Sequence, residues 1–418
     1  MSPRISLGVF LFLQLQAPIP QSDSVRDAFA RTLSKVAAAR SESERRAGLV
    51  TARSLAARYA TTWKDDFLIR QAYRFAQASA DTRWHLVISD SLRRSGNTAL
   101  LTEGINKAMP LWRASMQHAI EANDDAAKAS ARVSLGGGLY RLGELDSATA
   151  YLTVAERDAR RIGDKRTAAN AIGVLASIHR DRGDLDQAFV MYRRASLLRS
   201  QSGDTRGLAA DANNIGSIAQ QRGDLDAAST QYERALALNR RDGRFALAAL
   251  NLDNIAGIAA ARGDYSRAES FYREALSLNQ KANARAEAAF VWSGLGKLYV
   301  ERGDYARAVQ ALEESIRIHD SSGAVTEAVE VRAELAQVKT AMGSLDEARV
   351  LLTRASKDAQ SAGTAATTRG LLALSRGDLA VEFGHSRKRG MNTRVRSALS
   401  ELPPIQRESR ARRRQSHS

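Results

Sequence analysis

A strict 40-residue period of glycine constrains this 418-residue chain more than any other feature. Each of six glycines is followed five residues later by an alanine. The pairs are Gly143 and Ala148, Gly183 and Ala188, Gly223 and Ala228, Gly263 and Ala268, Gly303 and Ala308, and Gly343 and Ala348. A period of this length indicates one supersecondary unit that stacks on copies of itself. Because such arrays expose a long surface and have no single deep core, the period favours binding over catalysis.

The repeat unit is clearest in residues 205–280. Apolar and small residues recur at helical spacing along 206–221, and Gly223 then ends that helix. Asp224 offers a side-chain acceptor to the free amides that begin the next helix, which runs to Gly243. We predict two antiparallel helices per unit, each of about 16 residues and about 24 Å long.

Small residues at one position of each first helix predict close packing. Each follows a large apolar residue, and the small members are Gly136, Ala176, Gly216, Ala256, Gly296 and Ala336. A bulky residue recurs in the second helix of each unit, as tyrosine at Tyr192, Tyr232 and Tyr272 and as leucine at Leu152, Leu312 and Leu352. A large side chain facing a small one fills the space while the helices approach each other.

These residues resemble the tetratricopeptide repeat, whose pattern is met by SGLGKLYVERGDYARA at 293–308. The 40-residue version is similar to the repeats of kinesin light chains and of some bacterial regulators. The resemblance covers about 103–380 and implies an all-α fold. That fold is a right-handed superhelical α-solenoid of stacked antiparallel helix hairpins. The resemblance also implies that the first helix of each unit lines a concave groove.

The first 24 residues form a candidate signal peptide. One arginine precedes the apolar run Ile5–Leu15, which is too short to span a bilayer. The cleavage site is poor because Pro18 follows Ala17. A periplasmic or secreted location and a cytoplasmic one therefore both stay open. The chain has no cysteine, which excludes disulfides, thiolate metal ligands and a cysteine nucleophile.

Three further segments follow from the period. Residues 25–102 are helix-rich without it and are assigned to a helical N-terminal cap, and 103–384 form the array. Within the array, 108–121 is expected to be the second helix of a degenerate repeat, and Gly377-Asp378 the turn of a seventh unit. That unit breaks off near residue 384, so either a partner covers this end or the chain is a truncated or frame-shifted relative of a longer protein.

The last segment, 385–418, is a basic tail that we expect to be disordered. It carries ten Arg or Lys against two Glu, half of the net charge of +16. Basic tails can bind nucleic acid or anionic membranes. No aromatic residue is interleaved to stack on bases, and no DNA-binding motif accompanies the tail, so nucleic acid is an unlikely partner.

No motif for catalysis, cofactor or metal binding stands out. The five Arg-Gly-Asp triplets lie in phase with the repeat, which indicates helix ends and caps rather than adhesion motifs. Gly136–Gly138 lacks the Lys-Ser/Thr that completes a phosphate loop, so packing explains it better. The six histidines lie far apart without ligand spacing. We predict no enzymatic activity, no cofactor and no metal site.

Polar residues of the first helices are the candidate peptide-binding residues. Asparagine is a mediocre helix former, and its amide can both donate to and accept from a peptide backbone. The candidates on this ground are Asn170, Asn213, Asn214, Asn251 and Asn254. In the resembling families, asparagine at the position of Asn214 and Asn254 implies a peptide-backbone contact. Other units carry Ser134, Val174, Gly294 and Glu334 there, so hydrogen bonding within the array stays an alternative.

Basic and amide side chains farther along the same helices suit an acidic or carboxylate-bearing peptide. These candidates are Arg141, Arg180, Gln220, Gln221 and Lys297. The sequence thus favours a protein-interaction scaffold or adaptor that binds a peptide segment in the groove. One alternative is a peptide-sensing regulatory module. Another is a truncated partner or relative of bacterial arrays that precede caspase-like CHAT domains, although the absence of cysteine excludes such a protease here.

Overall fold

The computed structural model describes residues 21–362 and 366–400, which form 18 α-helices and no strand. The helices are α1 (Gln21–Ala38), α2 (Glu42–Trp63), α3 (Phe67–Gln77), α4 (Ala80–Thr102), α5 (Ile105–Glu121), α6 (Asp125–Arg141), α7 (Leu145–Arg161), α8 (Lys165–Asp181), α9 (Leu185–Ser202), α10 (Thr205–Gln221), α11 (Leu225–Arg241), α12 (Phe245–Ala261), α13 (Tyr265–Lys281), α14 (Arg285–Glu301), α15 (Tyr305–Ser322), α16 (Val325–Ala341), α17 (Leu345–Ala362) and α18 (Ala366–Ser400). In this part of the chain, every helix is too short or too polar to cross a membrane. The candidate signal peptide falls largely on residues 1–20, outside the described residues.

The described helices belong to two compact units. The first comprises the residues up to Ile258 together with Ser277–Asn283, and the second comprises Ala259–Leu276 and the residues from Ala284 onward. Consecutive helices pack as hairpins in both units, namely α4 with α5, α6 with α7, α8 with α9, and α10 with α11 in the first, and α14 with α15 and α16 with α17 in the second. The all-α solenoid architecture predicted from the period is confirmed.

The hairpin turns that contain Asp224, Asp264 and Asp304 have the predicted chemistry. Gly223 has a φ of +79°, a left-handed conformation that glycine adopts without steric cost. The Asp224 side chain then accepts a hydrogen bond from the backbone N–H of Ala227 at 3.0 Å, which caps α11. Positive φ values recur at glycines 40 residues apart on both sides of this turn. Four of the five Arg-Gly-Asp triplets lie at such turns, as predicted.

Glycines of the first helices lie directly under bulky side chains of the second helices. A Cβ added to Gly216 would lie 2.9 Å from the ring of Tyr232, and one added to Gly136 would lie 2.6 Å from Cγ of Leu152. Gly138 is packed in the same way, since a Cβ there would lie 2.5 Å from Sδ of Met109. The packing interpretation of Gly136–Gly138 is therefore correct for its first and last members.

The array begins one helix earlier than the sequence analysis assigns. Helix α4 lies within the segment 25–102 that was expected to be a cap, yet it forms a hairpin with α5. Gly96 of α4 lies against Trp112 of α5, and a Cβ there would come 2.5 Å from Nε1 of the indole. This pair stands 40 residues before Gly136 and Leu152. The period thus extends to Gly96. The turn after α4 lacks the Gly-Asp sequence by which the later units are recognised.

The first three helices lie against the turns that connect successive hairpins of the first unit. The hydroxyl of Tyr59 in α2 donates to the carbonyl oxygen of Ser202 at 2.8 Å. Arg70 of α3 donates to the carbonyl oxygen of Ile162 at 3.3 Å, and Arg26 of α1 lies 3.8 Å from Asp164. Helices α1–α3 therefore run along the side of the array over more than one repeat. A cap on the first helix alone would not make these contacts.

At the C-terminus a single helix replaces the predicted seventh hairpin. Helix α18 continues through Gly377-Asp378 and on to Ser400, so that triplet forms no turn. One face of α18 is anchored by Leu372, Ser375 and Leu379, which are buried at helical spacing. A glycine within a helix costs only about 1 kcal/mol relative to alanine, so this packing is enough to keep Gly377 helical. Residues 385–400, assigned to the tail, are thus helical, and this stretch contains no proline before Pro403. Residues 401–418 lie outside the described part.

Candidate peptide-binding face

The first helices of the hairpins are buried on most of their circumference. Helix α8, for instance, contacts α6, α7, α9 and α10, which leaves one narrow line of partly exposed residues. We call this line in the first unit the inner-helix stripe. Its members are Ser130, Ser134 and Gly137 of α6, Asn170, Val174 and Ser177 of α8, Ala210 and Asn214 of α10, and Leu250, Asn254 and Gly257 of α12. The spacing i, i+4 and i+7 keeps these positions on one helical face.

Asn214 and Asn254 occupy the same position of successive repeats in the stripe. Among the described residues, the half-buried side chain of Asn214 makes no hydrogen bond. Asn254 donates through Nδ2 to Oδ1 of Asn213 at 3.1 Å. Both amides thus retain capacity to donate or accept, which is the property expected of residues that contact a peptide backbone.

Asn213 and Asn251 have a different environment from their neighbours. Both are buried, and Nδ2 of Asn251 donates to Oδ1 of Asn213 at 2.9 Å. Asn239 of α11 donates to Oδ1 of Asn251 at 2.8 Å and accepts from Nε of Arg244 at 2.9 Å. These amides form a buried network that joins α10, α11 and α12. Asn213 and Asn251 therefore form hydrogen bonds within the array, which is the alternative that the sequence left open.

The remaining candidates of the first unit differ in how fully they are paired. Arg180 donates to Oδ1 of Asp181 at 3.1 Å, and Gln220 accepts from the hydroxyl of Tyr232 at 2.9 Å. Asn170 accepts a long contact of 3.5 Å from Arg199. Gln221 is exposed at the end of α10.

Arg141 is the candidate cation with spare hydrogen-bonding capacity. Its Nη2 is buried and has no hydrogen-bond partner among the described residues. Burial lowers the pKa of Arg141, an effect that the neighbouring Tyr140 partly opposes. The Tyr140 hydroxyl is itself held by Asp181 at 2.5 Å, and burial together with this carboxylate raises the pKa of Tyr140. An anion that reached Arg141 would therefore satisfy a donor that the array leaves unpaired.

Polar side chains at the corresponding positions of the second unit form internal pairs. Lys297 is exposed, and its Nζ lies 3.0 Å from Oε1 of Glu334. Glu330 accepts from Thr368 of α18 at 2.7 Å, and Gln337 donates to Ser375 of the same helix at 3.1 Å. The carboxylate of Glu334 thus neutralises the charge of Lys297. Lys297 therefore does not extend a basic face, although its sequence position suggested one.

The hydroxyl residues of the stripe were not among the candidates from the sequence. Ser130, Ser134 and Ser177 lie partly exposed beside the asparagines and offer further donors and acceptors. The sequence analysis names Ser134 only as a departure from the asparagine pattern, and comparison of all positions 40 residues apart would also have revealed Ser130 and Ser177.

Helix hairpins of this period, packed through small residues, define the chain as a helical repeat protein. The family model described as the MalT-like TPR region matches residues 98–283 and 196–381. The chain belongs to this tetratricopeptide repeat family. No curated protein matches the sequence significantly.

Solved structures of similar fold are distant in sequence. The apo form of the quorum sensor NprR from B. thuringiensis is 14% identical, with a TM-score of 0.56 over 81% of this chain and 88% of that one. A signal transduction ATPase with a tetratricopeptide repeat sensor from Pyrococcus horikoshii is 15% identical, with a TM-score of 0.55 over 84% and 55%. A Rap protein complexed with competence and sporulation factor is 12% identical, with a TM-score of 0.52 over 85% and 99%. These likenesses show a shared fold.

Proposed function

We propose that the chain is a protein-interaction scaffold or adaptor that binds an extended peptide segment along the inner-helix stripe of its first unit. The observation that carries the proposal is the pair Asn214 and Asn254. These amides recur at one repeat position, lie partly exposed, and keep hydrogen-bonding capacity that the array does not use. No enzymatic step and no cofactor are part of this function.

An extended peptide suits this arrangement for a geometric reason. Its backbone presents N–H and C=O groups at about 3.3 Å per residue, and an asparagine amide can pair with either kind of group. Asparagines on the first helices of successive repeats thus bind the peptide backbone without contacting its side chains. Specificity would come from the neighbouring residues of the stripe, including the apolar Val174 and Leu250.

Arg141 suggests the charge of the ligand. A carboxylate at the partly exposed Arg141 would form a charge-assisted hydrogen bond once the guanidinium turned its unpaired, buried Nη2 toward it. Arg180 contributes less, because Asp181 already occupies it. We therefore favour a peptide with an acidic side chain or a free C-terminal carboxylate.

The structural relatives support the same class of function. One is described as a quorum sensor, another contains a repeat sensor, and a third is complexed with competence and sporulation factor. They also favour the second candidate, a module that senses a peptide and regulates another protein. A partner role beside a CHAT protease remains a prediction without support from these relatives.

Selection and crosslinking of a peptide would test the proposal. Peptides selected from a random display library against the full chain would be bound to two variants, each with a photoreactive amino acid. One variant carries it in place of Ala210 in the stripe, and the other in place of the exposed Val190 on α9. We expect crosslinks from position 210 and none from position 190. Crosslinks from position 190 alone would refute the proposal.

A further inference from the structure

Two histidines that are distant in sequence meet on the first hairpin. Nδ1 of His85 in α4 lies 2.9 Å from Nδ1 of His118 in α5. Oε2 of Glu121, one turn after His118, lies 2.8 Å from the first nitrogen and 3.4 Å from the second. Three ligand-type atoms from two helices thus converge on one point.

The separations match those of ligands around one metal ion. Zinc binds imidazole nitrogen at about 2.0–2.1 Å and carboxylate oxygen at about 2.0–2.2 Å, and tetrahedral ligands at these distances lie about 3.3 Å apart. The three observed separations, 2.8, 2.9 and 3.4 Å, lie near that value. An ion displaced slightly from the plane of the three atoms would reach all of them.

Protons alone satisfy this cluster poorly. A neutral imidazole carries one N–H, so two protonated Nδ1 atoms at 2.9 Å would oppose each other. If only the His85 nitrogen is protonated, its N–H must serve both Glu121 and the lone pair of His118. A divalent cation accepts electron pairs from all three atoms at once and removes this conflict.

Neighbouring side chains hold the two rings in place. The indole of Trp84 meets both imidazoles edge to face, with ring centroids 4.8 Å from His85 and 5.3 Å from His118. Oδ1 of Asp81 lies 3.7 Å from Nε2 of His85, on the side away from the cluster. That separation is longer than a hydrogen bond, so the two contacts of Trp84 are what position the rings.

We propose that His85, His118 and Glu121 form a binding site for a divalent transition metal ion of the zinc type. Two imidazoles and one carboxylate favour zinc over magnesium or calcium, which prefer all-oxygen sites. The histidine side chains are 14% and 22% exposed and that of Glu121 is 39% exposed, so a fourth position would open toward solvent on the glutamate side. The ion would fasten α4 to α5 at the beginning of the array. This site shares no residue with the inner-helix stripe.

Zinc titration of the untagged full chain against a chromophoric chelator would test the site. We expect one equivalent of Zn²⁺ to bind at neutral pH, with no comparable binding of Mg²⁺. His118→Ala and His85→Ala should each weaken binding by about 100-fold or more, since even outer partners of a metal site contribute 10–100-fold.

A matched control is available in His179, which lies half-buried beside Asp184 at 3.1 Å but has no second histidine. His179→Ala should leave zinc affinity unchanged. If an alanine variant fails to fold by circular dichroism, Glu121→Gln replaces the carboxylate by an amide of the same size and should still weaken binding clearly. A chain without stoichiometric zinc binding, or an affinity that the His85, His118 and Glu121 variants leave unchanged, would overturn the proposal.

Discussion

At the scale of single residues, neighbouring asparagines of one helix have different roles. Asn213 and Asn214 are separated by about 100° around α10, so one side chain is buried and the other lies partly exposed. Asparagine is a mediocre helix former, so the sequence predicted a specific role for each of these residues. The sequence could not assign the role of each residue, because the direction of its side chain depends on how α10 packs against the neighbouring helices.

Asn239→Ala should destabilise the fold. The substitution leaves the buried Oδ1 of Asn251 and Nε of Arg244 without their partner, which should lower the free energy of unfolding by about 2 kcal/mol. Asn214→Ala is the control, with an expected change within about 0.5 kcal/mol because the side chain makes no hydrogen bond within the array. Urea unfolding curves would measure both, and an equal loss for the two variants would contradict this division of roles.

Asp211 should make stability depend on pH in an unusual direction. Burial raises the pKa of Asp211 to about 6, although Arg199 opposes the effect. The unfolded chain releases this proton near pH 4, so between about pH 4 and 6 the folded state binds more protons and loses stability as the pH rises. The loss would be on the order of 2–3 kcal/mol. Asp211→Asn abolishes this contribution.

Unfolding measured across that pH range for both proteins would check the effect. Subtracting the variant curve removes the contribution of the other carboxylates, so the difference isolates Asp211. We expect the advantage of the wild type over the variant to shrink from pH 4 to 6 and to stay constant above. A difference that grows with pH would mean that Arg199 lowers the pKa of Asp211 instead.

At the scale of helices, the sequence predicted the elements that carry a complete turn signature. Gly223-Asp224 places a stop and a cap correctly, and a glycine ends the first helix of each unit from α6 to α17. The cap is less regular, since Glu144 and Asp184 make no capping bond. Gly377-Asp378 carries the same letters within one continuous helix. The difference lies in tertiary packing, because buried contacts of Leu372 and Leu379 hold α18 straight through the glycine.

Gly377→Ala distinguishes a helix from a turn at this position. Within a helix, alanine is favoured over glycine by about 1 kcal/mol, and a Cβ at this site meets nothing within 4 Å. We therefore expect a stability gain of about 0.5–1 kcal/mol. Gly343→Ala should instead destabilise, because its φ of +82° strains any residue with a Cβ. Loss of stability in both variants would indicate a turn at Gly377.

At the scale of the whole molecule, the period predicted one architecture but not every contact. It determines the hairpins and the residues that pack within them, down to the glycine-on-tyrosine contact of Gly216 and Tyr232. It is silent on α1–α3, whose contacts with the turns at Ile162 and Ser202 join segments that share no pattern. Contacts of this kind depend on surface complementarity, which no local sequence signal encodes.

The candidate binding face has the same limit. The repeat determines which helix face remains exposed, and hence the positions of Asn214 and Asn254. Lys297 pairs with Glu334 of another helix. Arg180 pairs with the adjacent Asp181 through a side-chain geometry that the sequence does not specify. Neither pairing was predicted. The charge of the face was therefore the least predictable of its properties.

Calorimetric titration of a selected peptide into the full chain and into Asn214→Ala/Asn254→Ala tests the central claim most directly. We expect the double variant to bind at least about tenfold more weakly, the equivalent of about 1.4 kcal/mol. The matched control, Gln187→Ala/Gln201→Ala, removes two exposed amides of α9 and should bind as the wild type does. Equal affinities for all three proteins would contradict peptide recognition by the inner-helix stripe.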